Sequence, residues 1–132
     1  MDPVLKDVLI WLYLCNATLL VVHEIDSAYW REWELFRLPG GGGGFVLAHI
    51  PMVAVILYGL TQVQRATFTG MVLSCVLAAG GVFAFLIHLF FILRGRSEFK
   101  TPVSLAVLGA SLAMSLAQAS ATIFALATEE FY

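Results

Sequence analysis

The chain has 132 residues, of which 61% are hydrophobic and 12% are charged, and its formal net charge at neutral pH is -2. Its mean hydropathy of +0.91 is too high for a soluble domain of this length, because one small core cannot bury so much apolar surface. The weak acidic charge and the lack of a basic cluster exclude nucleic acid as an expected partner. The expected environment is therefore the lipid bilayer.

Four apolar stretches predict four membrane-spanning helices, at about residues 5–27, 44–64, 67–93 and 102–127. The later three contain uncharged runs of at least the roughly 20 residues that a spanning helix needs. The first run, Val8 to Val22, is shorter, but helix can continue through Lys6 and through His23 to Asp26. The sequence thus predicts an all-α fold, a four-helix transmembrane bundle that forms a single domain over residues 1–132.

The distribution of basic residues near the helix ends predicts the orientation. Two lie on one side, Lys6 and Arg65, and five lie on the other: Arg31, Arg37, Arg94, Arg96 and Lys100. Because basic residues concentrate in cytoplasmic loops, the larger group is expected in the cytoplasm and both termini outside. Asp2 and Asp7 are atypical of a basic leader, so the first helix is expected to remain in the protein.

The connector between the first two spans has two parts of opposite character. Its first part, Ala28 to Leu38, is aromatic and charged, and the aromatic residues recur at spacings that give one apolar face. This pattern predicts a short interfacial amphipathic helix at headgroup level. The second part, Pro39 to Gly44, is a proline followed by five glycines. We expect it to be a flexible linker, with a hinge for a lid as the alternative.

Three histidines in three different spans are the most informative polar residues. Measured from the predicted helix ends, His23, His49 and His88 all lie about 7 Å deep at 1.5 Å per residue. Asp26 follows His23 by three residues, on the same face and one turn nearer the surface, as in metal sites of helical bundles. The sequence therefore predicts a metal site made of the three histidines, with Asp26 as fourth ligand or orienting carboxylate.

Imidazole and carboxylate ligands suit zinc, iron or manganese. In an enzyme, metal-bound water would be the nucleophile and Asp26 or Glu24 the proton acceptor, acting on an amphiphilic substrate from the leaflet. Oxidative iron chemistry fits the same ligands. Glu24 points about 100° away from His23 and is a secondary candidate. Glu32 and Glu34 lie in the connector and are expected to be solvated, with capping of the site from above as the alternative.

Small and polar residues mark the helix faces that are expected to pack together. On the third span the small residues at helical spacing are Gly70, Ser74, Ala78 and Gly81. On the fourth, the polar stripe consists of Ser104, Ser111, Ser115, Gln118 and Thr122, and Asn16 of the first span lies two turns below His23. These groups predict hydrogen bonds between helices, with a proton or substrate path as the alternative. Cys15 and Cys75 are expected to behave as small apolar residues far from the histidines.

The stretch His23-Glu24-Ile25-Asp26-Ser27, followed by an aromatic and charged segment, resembles a motif of small bacterial multi-span proteins. That family is named for an H-x-x-E-E motif near the end of the first helix. Here Asp26 and Ser27 replace the two glutamates. The resemblance covers this motif and the four-span layout. It implies a polar site at this helix end and a bacterial inner membrane location, and it implies no substrate, since the family has no established activity.

Functions of other classes remain open from the sequence. One is a b-type haem protein with two histidines as axial ligands and Phe85 and Phe91 packed on the macrocycle. Another is a non-catalytic membrane subunit or a small transporter, formed as a homo-oligomer whose function lies between protomers. The sequence leaves open whether the protein is an enzyme.

Overall fold

The computed structural model describes residues 1–95 and 100–128, and over these ranges the chain is a bundle of helices. The elements are α1 (Pro3–Tyr29), α2 (Glu32–Leu35), α3 (Gly41–Gln64), α4 (Phe68–Leu93) and α5 (Pro102–Thr128). All but α2 are long and apolar enough to cross a membrane, which confirms the predicted four-helix bundle and supports an integral membrane protein. Arg96, which entered the prediction of orientation, lies outside the described residues.

The ends of the helices follow from local chemistry. Asp2 caps α1 by accepting a hydrogen bond from the Leu5 backbone N–H at 3.0 Å, and Pro3 stands in the first turn, where proline is tolerated. Thr67 caps α4 in the same way, through the Gly70 N–H at 3.0 Å. With its 27 residues, α1 is about 40 Å long, which exceeds the roughly 30 Å hydrocarbon core. One end of α1 therefore extends into the headgroup region.

The glycine run is not a flexible linker, so that prediction was wrong. Its residues 41–44 form the first turn of α3, which begins at Gly41 rather than at Gly44. The turn before it needs Gly40, whose φ of 84° is in the left-handed region. A Cβ on Gly44 would overlap the Pro39 carbonyl oxygen, and a Cβ on Gly42 would lie 3.3 Å from the Trp33 ring. The glycines thus allow backbone and ring to pack closely against the start of α3.

The predicted interfacial helix is present as α2, with only four residues. Between α1 and α2 the chain reverses at Arg31, whose φ of 56° is left-handed. This reversal folds α2 back over the end of the bundle, where it contacts both α1 and α3. One face of α2 therefore points inward, onto the predicted position of the histidines.

A network of uncharged polar side chains holds the middle of the bundle together. Asn16 Nδ2 donates to Gln118 Oε1 at 2.7 Å, and Gln118 Nε2 donates to the Ser74 hydroxyl at 2.9 Å and to its carbonyl at 3.1 Å. The Ser115 hydroxyl donates to Asn16 Oδ1 at 3.1 Å, and the hydroxyls of Ser74 and Thr122 lie 2.8 Å apart. All five residues are fully buried. This central polar network joins α1, α4 and α5, and it confirms that the polar stripe of α5 faces inward.

Candidate metal centre

Three buried ionisable side chains meet where α2 covers the bundle. They are His23 of α1, Glu32 of α2 and His88 of α4, and we refer to them as the His–Glu cluster. Each offers one ligand atom, and these atoms all lie within 4.8 Å of one another. The relative exposures of the three residues are 5%, 6% and 3%. Lys, Glu and Asp are rarely buried this completely unless they are paired or bind an ion, so the burial of Glu32 in particular indicates a partner.

His88 is held in an orientation that suits a metal ligand. Its Nδ1 lies 2.9 Å from the carbonyl oxygen of Ala84, one helical turn earlier. A carbonyl can only accept, so Nδ1 carries the proton, and in a neutral ring Nε2 is then the nitrogen with the lone pair. Nε2 faces the Glu32 carboxylate at 3.4 Å. A backbone carbonyl that fixes the tautomer of a histidine in this way is a common feature of metal sites.

His23 completes the cluster from α1. Its ring meets the ring of His88 edge to face, with the ring centroids 4.6 Å apart and the planes at 79°. Glu32 enters from above because the left-handed turn at Arg31 directs α2 back over the two rings. Two helices in the bundle and one short helix above it thus position the three ligands from three directions.

The environment of Glu32 disfavours an unpaired negative charge. Burial raises the pKa of the Glu32 carboxyl above its ordinary value, and the nearby charges of Glu24 and Asp26 act in the same direction. The Ser27 hydroxyl and His88 oppose this rise in pKa without overcoming it. A buried carboxylate close to two other acids would be stabilised by a proton or by a bound cation.

His49 and Glu24 form a second pair beside the cluster. His49 Nδ1 lies 2.7 Å from the Phe45 carbonyl oxygen, and Nε2 lies 2.8 Å from Glu24 Oε2. Because Nδ1 must donate to the carbonyl, the short contact at Nε2 holds a second proton, shared between the imidazole and the carboxylate. The pair can therefore accept or supply a proton at Glu24. Both side chains are half-buried, with 23% of each exposed.

The cluster and this pair face the same pocket. It has a volume of about 350 Å³ and lies between α1, α3 and α4 under the segment that contains α2. Its polar lining consists of His23, Glu24, Glu32, His49 and His88, and the rest is mainly apolar and aromatic. A concave apolar site with a few convergent polar groups, of at least about 300 Å³, is the usual form of a small-molecule site.

The structure brings some of the predicted site residues together and not others. His23 and His88 meet, as their matched depth predicts, while His49 lines the same pocket but contacts Glu24 instead of the cluster. Asp26 is half-buried on α1 and stands outside the cluster. Cys15 and Cys75 are free thiols outside the cluster too.

Glu32, in contrast, was expected to be solvated and is buried. The sequence did contain a signal for this. Phe36 belongs to the apolar face that the aromatic residues of the connector predict, and Glu32 lies four positions before it, on the same side of a helix. Glu34 does not share the face, and it is exposed. An acidic residue on an apolar helix face indicates that its carboxylate is buried.

Comparison with curated proteins gave no match, and comparison with solved structures gave none. A family model does match, over residues 9–125, and it is not named for an H-x-x-E-E motif. The matched range includes all three residues of the His–Glu cluster, the His49–Glu24 pair and the central polar network. Since it covers most of the chain, the protein belongs to this family, which is described as a family of unknown function (DUF6713).

Proposed function

We propose that this integral membrane protein binds one divalent transition metal ion at the His–Glu cluster and uses it as a metal-dependent membrane enzyme. The observation that carries the proposal is the approach of three buried ligand atoms to within 4.8 Å of one another. Two imidazoles and one carboxylate are the protein ligands of many zinc hydrolases and of non-haem iron oxygenases. Both kinds of site keep a coordination position open for water or substrate.

The proposed chemistry follows from the ligands and from the pair beside them. A metal ion held there would supply a Lewis acid and an activated water at neutral pH, or an oxidative centre if the ion is iron. Glu24 is the proposed proton acceptor, because its carboxylate lines the same pocket as the cluster. Asp26, the other acceptor that the sequence suggests, is near enough to affect the charge of Glu32. Zinc, iron and manganese are the candidate metals.

Substrate and orientation belong to the same proposal. The pocket lies within a bundle whose long helices are apolar enough to cross a membrane, so the proposed substrate is amphiphilic and enters from the leaflet. In the orientation that the basic residues favour, the cluster lies near the cytoplasmic face of a bacterial inner membrane.

A specific observation favours a metal ion over haem at this position. The rings of His23 and His88 touch edge to face with their centroids 4.6 Å apart, which leaves no space between them for a macrocycle. Haem would need its two axial rings on opposite sides of a flat porphyrin. An absorption spectrum tests this point, since bound haem gives a Soret band and a single zinc or manganese ion does not.

The proposal is tested by elemental analysis and absorption spectroscopy of detergent-purified protein loaded with zinc, iron or manganese. We expect about one ion per chain in the wild type, lost in His88→Ala and in Glu32→Gln. His49→Ala is the matched control, because it removes a histidine from the same pocket that does not belong to the cluster. It should keep its metal.

Two results would contradict this. A folded wild type that takes up no metal would favour a non-catalytic subunit or a small transporter. Loss of metal in His49→Ala to the same extent as in His88→Ala would instead restore the three-histidine site that the sequence predicts.

A further inference from the structure

A second cavity continues from the metal-site pocket along the bundle. It has a volume of about 380 Å³ and lies between α3 and α4, with α1 behind it. The two cavities share Leu20, Met52 and Gly80 in their linings, so they adjoin at one level of the bundle. We call the second cavity the α3–α4 groove.

The α3–α4 groove is apolar throughout. The one polar side chain in its lining is Tyr13, and the Tyr13 hydroxyl is already used, because it donates to the Ile56 carbonyl oxygen at 2.9 Å. Val55 and Val76 also line the groove and are 49% and 58% exposed, so the groove is open sideways between α3 and α4. In a bilayer this opening faces the lipid chains.

The dimensions suit an extended hydrocarbon chain. Along α4 the groove reaches from Gly80 to Leu73, about 10 Å at 1.5 Å per residue, and His88 lies about 12 Å beyond Gly80. A Cβ built on Gly80 would meet nothing within 4 Å, so the space beside this residue, which lines both cavities, is open. A continuous slot therefore runs from an ionisable end to an apolar end.

We propose that the α3–α4 groove holds the alkyl chain of a fatty-acyl amphiphile whose oxygen-bearing head lies at the His–Glu cluster. The chemistry of the two ends matches such a molecule: an apolar slot open to lipid for the tail, and an open coordination position for a head oxygen. This inference rests on the proposed metal function, because the head is recognised through the ion.

The test uses the full chain in phosphatidylcholine nanodiscs, with and without bound zinc, and a palmitic acid probe that carries a photoactivatable diazirine near the end of its chain. Mass spectrometry locates the labelled residues. We expect labelling of the α3 and α4 segments that line the groove, with at least a tenfold reduction when unlabelled palmitic acid is added in excess. With the probe at a trace concentration, zinc should lower the concentration of palmitic acid that halves the labelling and leave that of hexadecane, which has no head, unchanged.

Gly80→Leu fills the slot, and Gly109→Leu is its matched control. A Cβ on Gly109 also meets nothing within 4 Å, but this glycine lies on the exposed side of α5, outside both cavities. We expect Gly80→Leu to lower the competable labelling at least tenfold and Gly109→Leu to leave it unchanged. Gly80 lines the metal-site pocket but lies about 12 Å along α4 from His88, and Gly109 lies outside the pocket, so both variants should keep their zinc, which also shows that they are folded.

The possible failures can be told apart. Labelling that palmitic acid does not compete, or that is equal in Gly80→Leu and Gly109→Leu, would overturn the groove proposal even if zinc is bound. Competable labelling in a protein that binds no metal would support the chain-binding groove and overturn the metal function. Equal competition by palmitic acid with and without zinc would overturn the contact between the head and the ion.

Discussion

Two groups of buried polar side chains in the described part of the bundle, the central polar network and the His–Glu cluster, differ in nearly every physical respect. The central polar network consists of amides and hydroxyls that satisfy one another across α1, α4 and α5. The His–Glu cluster consists of titratable groups, and it lines a pocket of about 350 Å³. The network residues Asn16 and Gln118 line neither this pocket nor the α3–α4 groove.

The difference indicates that the two groups of polar side chains have different roles inside the membrane protein. Neutral groups that donate and accept among themselves hold helices in register, and they need no ligand. A buried carboxylate facing two imidazoles is costly alone and becomes favourable when a cation joins it. We therefore expect changes in the network to alter stability without altering metal content, and changes in the cluster to alter metal content.

The largest expected effect is on metal affinity. His23→Ala should weaken zinc binding by more than about 100-fold, because loss of a group that only orients a ligand already costs about 10- to 100-fold. Gln118→Leu should bind zinc as the wild type does. Competition with a chromogenic chelator measures both affinities, and a comparable loss in the two variants would show that the regions act as one unit.

The next effect is on stability. Gln118 makes three hydrogen bonds to other helices, one with Asn16 and two with Ser74. At about 0.6 kcal/mol each on average, and up to about 1.7, Gln118→Leu should lower the free energy of unfolding by about 2 kcal/mol or more. Unfolding by titration with a denaturing detergent measures this.

Ser120→Ala is the control for that measurement. The Ser120 hydroxyl is exposed and donates only within α5, to the Leu116 carbonyl. Its loss should change the stability by less than about 0.5 kcal/mol. An equal effect of the two substitutions would show that the network contributes nothing specific.

Adjacent glycines on α4 offer a smaller and more local test. A Cβ on Gly81 would overlap the Ser115 hydroxyl, which must then rotate away from Asn16, whereas a Cβ on Gly80 meets only open space. Gly80→Ala should be neutral or stabilising by up to about 1 kcal/mol, since alanine is the better helix former, and Gly81→Ala should be about 1 kcal/mol less stable than Gly80→Ala because the displaced hydroxyl offsets that gain. Thermal unfolding of the two variants side by side is the measurement, and identical midpoints would contradict the close approach of α4 and α5.

Much of this organisation is readable from the sequence, for reasons that particular residues show. Apolar runs and helical spacing are local signals, so the four long helices and the inward stripe that contains Ser115 and Gln118 follow from them directly. The depth of His23 and His88 follows from counting along a helix of known rise. Their partner does not, because Glu32 reaches them through a reversal at Arg31, and a left-handed arginine has no signature in the sequence.

The glycine run is a second place where the local sequence pattern does not predict the structure. Five glycines in a row indicate conformational freedom, yet residues 41–44 are helical, and a Cβ on Gly44 would overlap the Pro39 carbonyl oxygen. The hydrogen bond between His49 and Glu24 depends on which face of α1 packs against α3. Tertiary packing determines that face, and the local sequence pattern does not.

The smallest expected effect concerns Glu32 and pH in the metal-free protein. Burial raises the pKa of Glu32 in the folded chain above its ordinary value of 4.5. The folded state thus holds the proton more tightly than the unfolded state, so the stability from Glu32 is present below that ordinary pKa and is lost as pH rises through the folded pKa.

Glu32→Gln stays neutral and lacks this dependence. As the pH rises above 4.5, the free energy of unfolding of the wild type should fall relative to that of Glu32→Gln, as measured by denaturation without metal. With zinc present, the free energy of unfolding of the wild type, but not of Glu32→Gln, should instead increase with pH. The ion replaces the proton, and its binding strengthens as the pH rises. A wild type that gains stability over the variant as pH rises, with no metal present, would contradict the view that this carboxylate is an unfavourable buried charge until a cation binds.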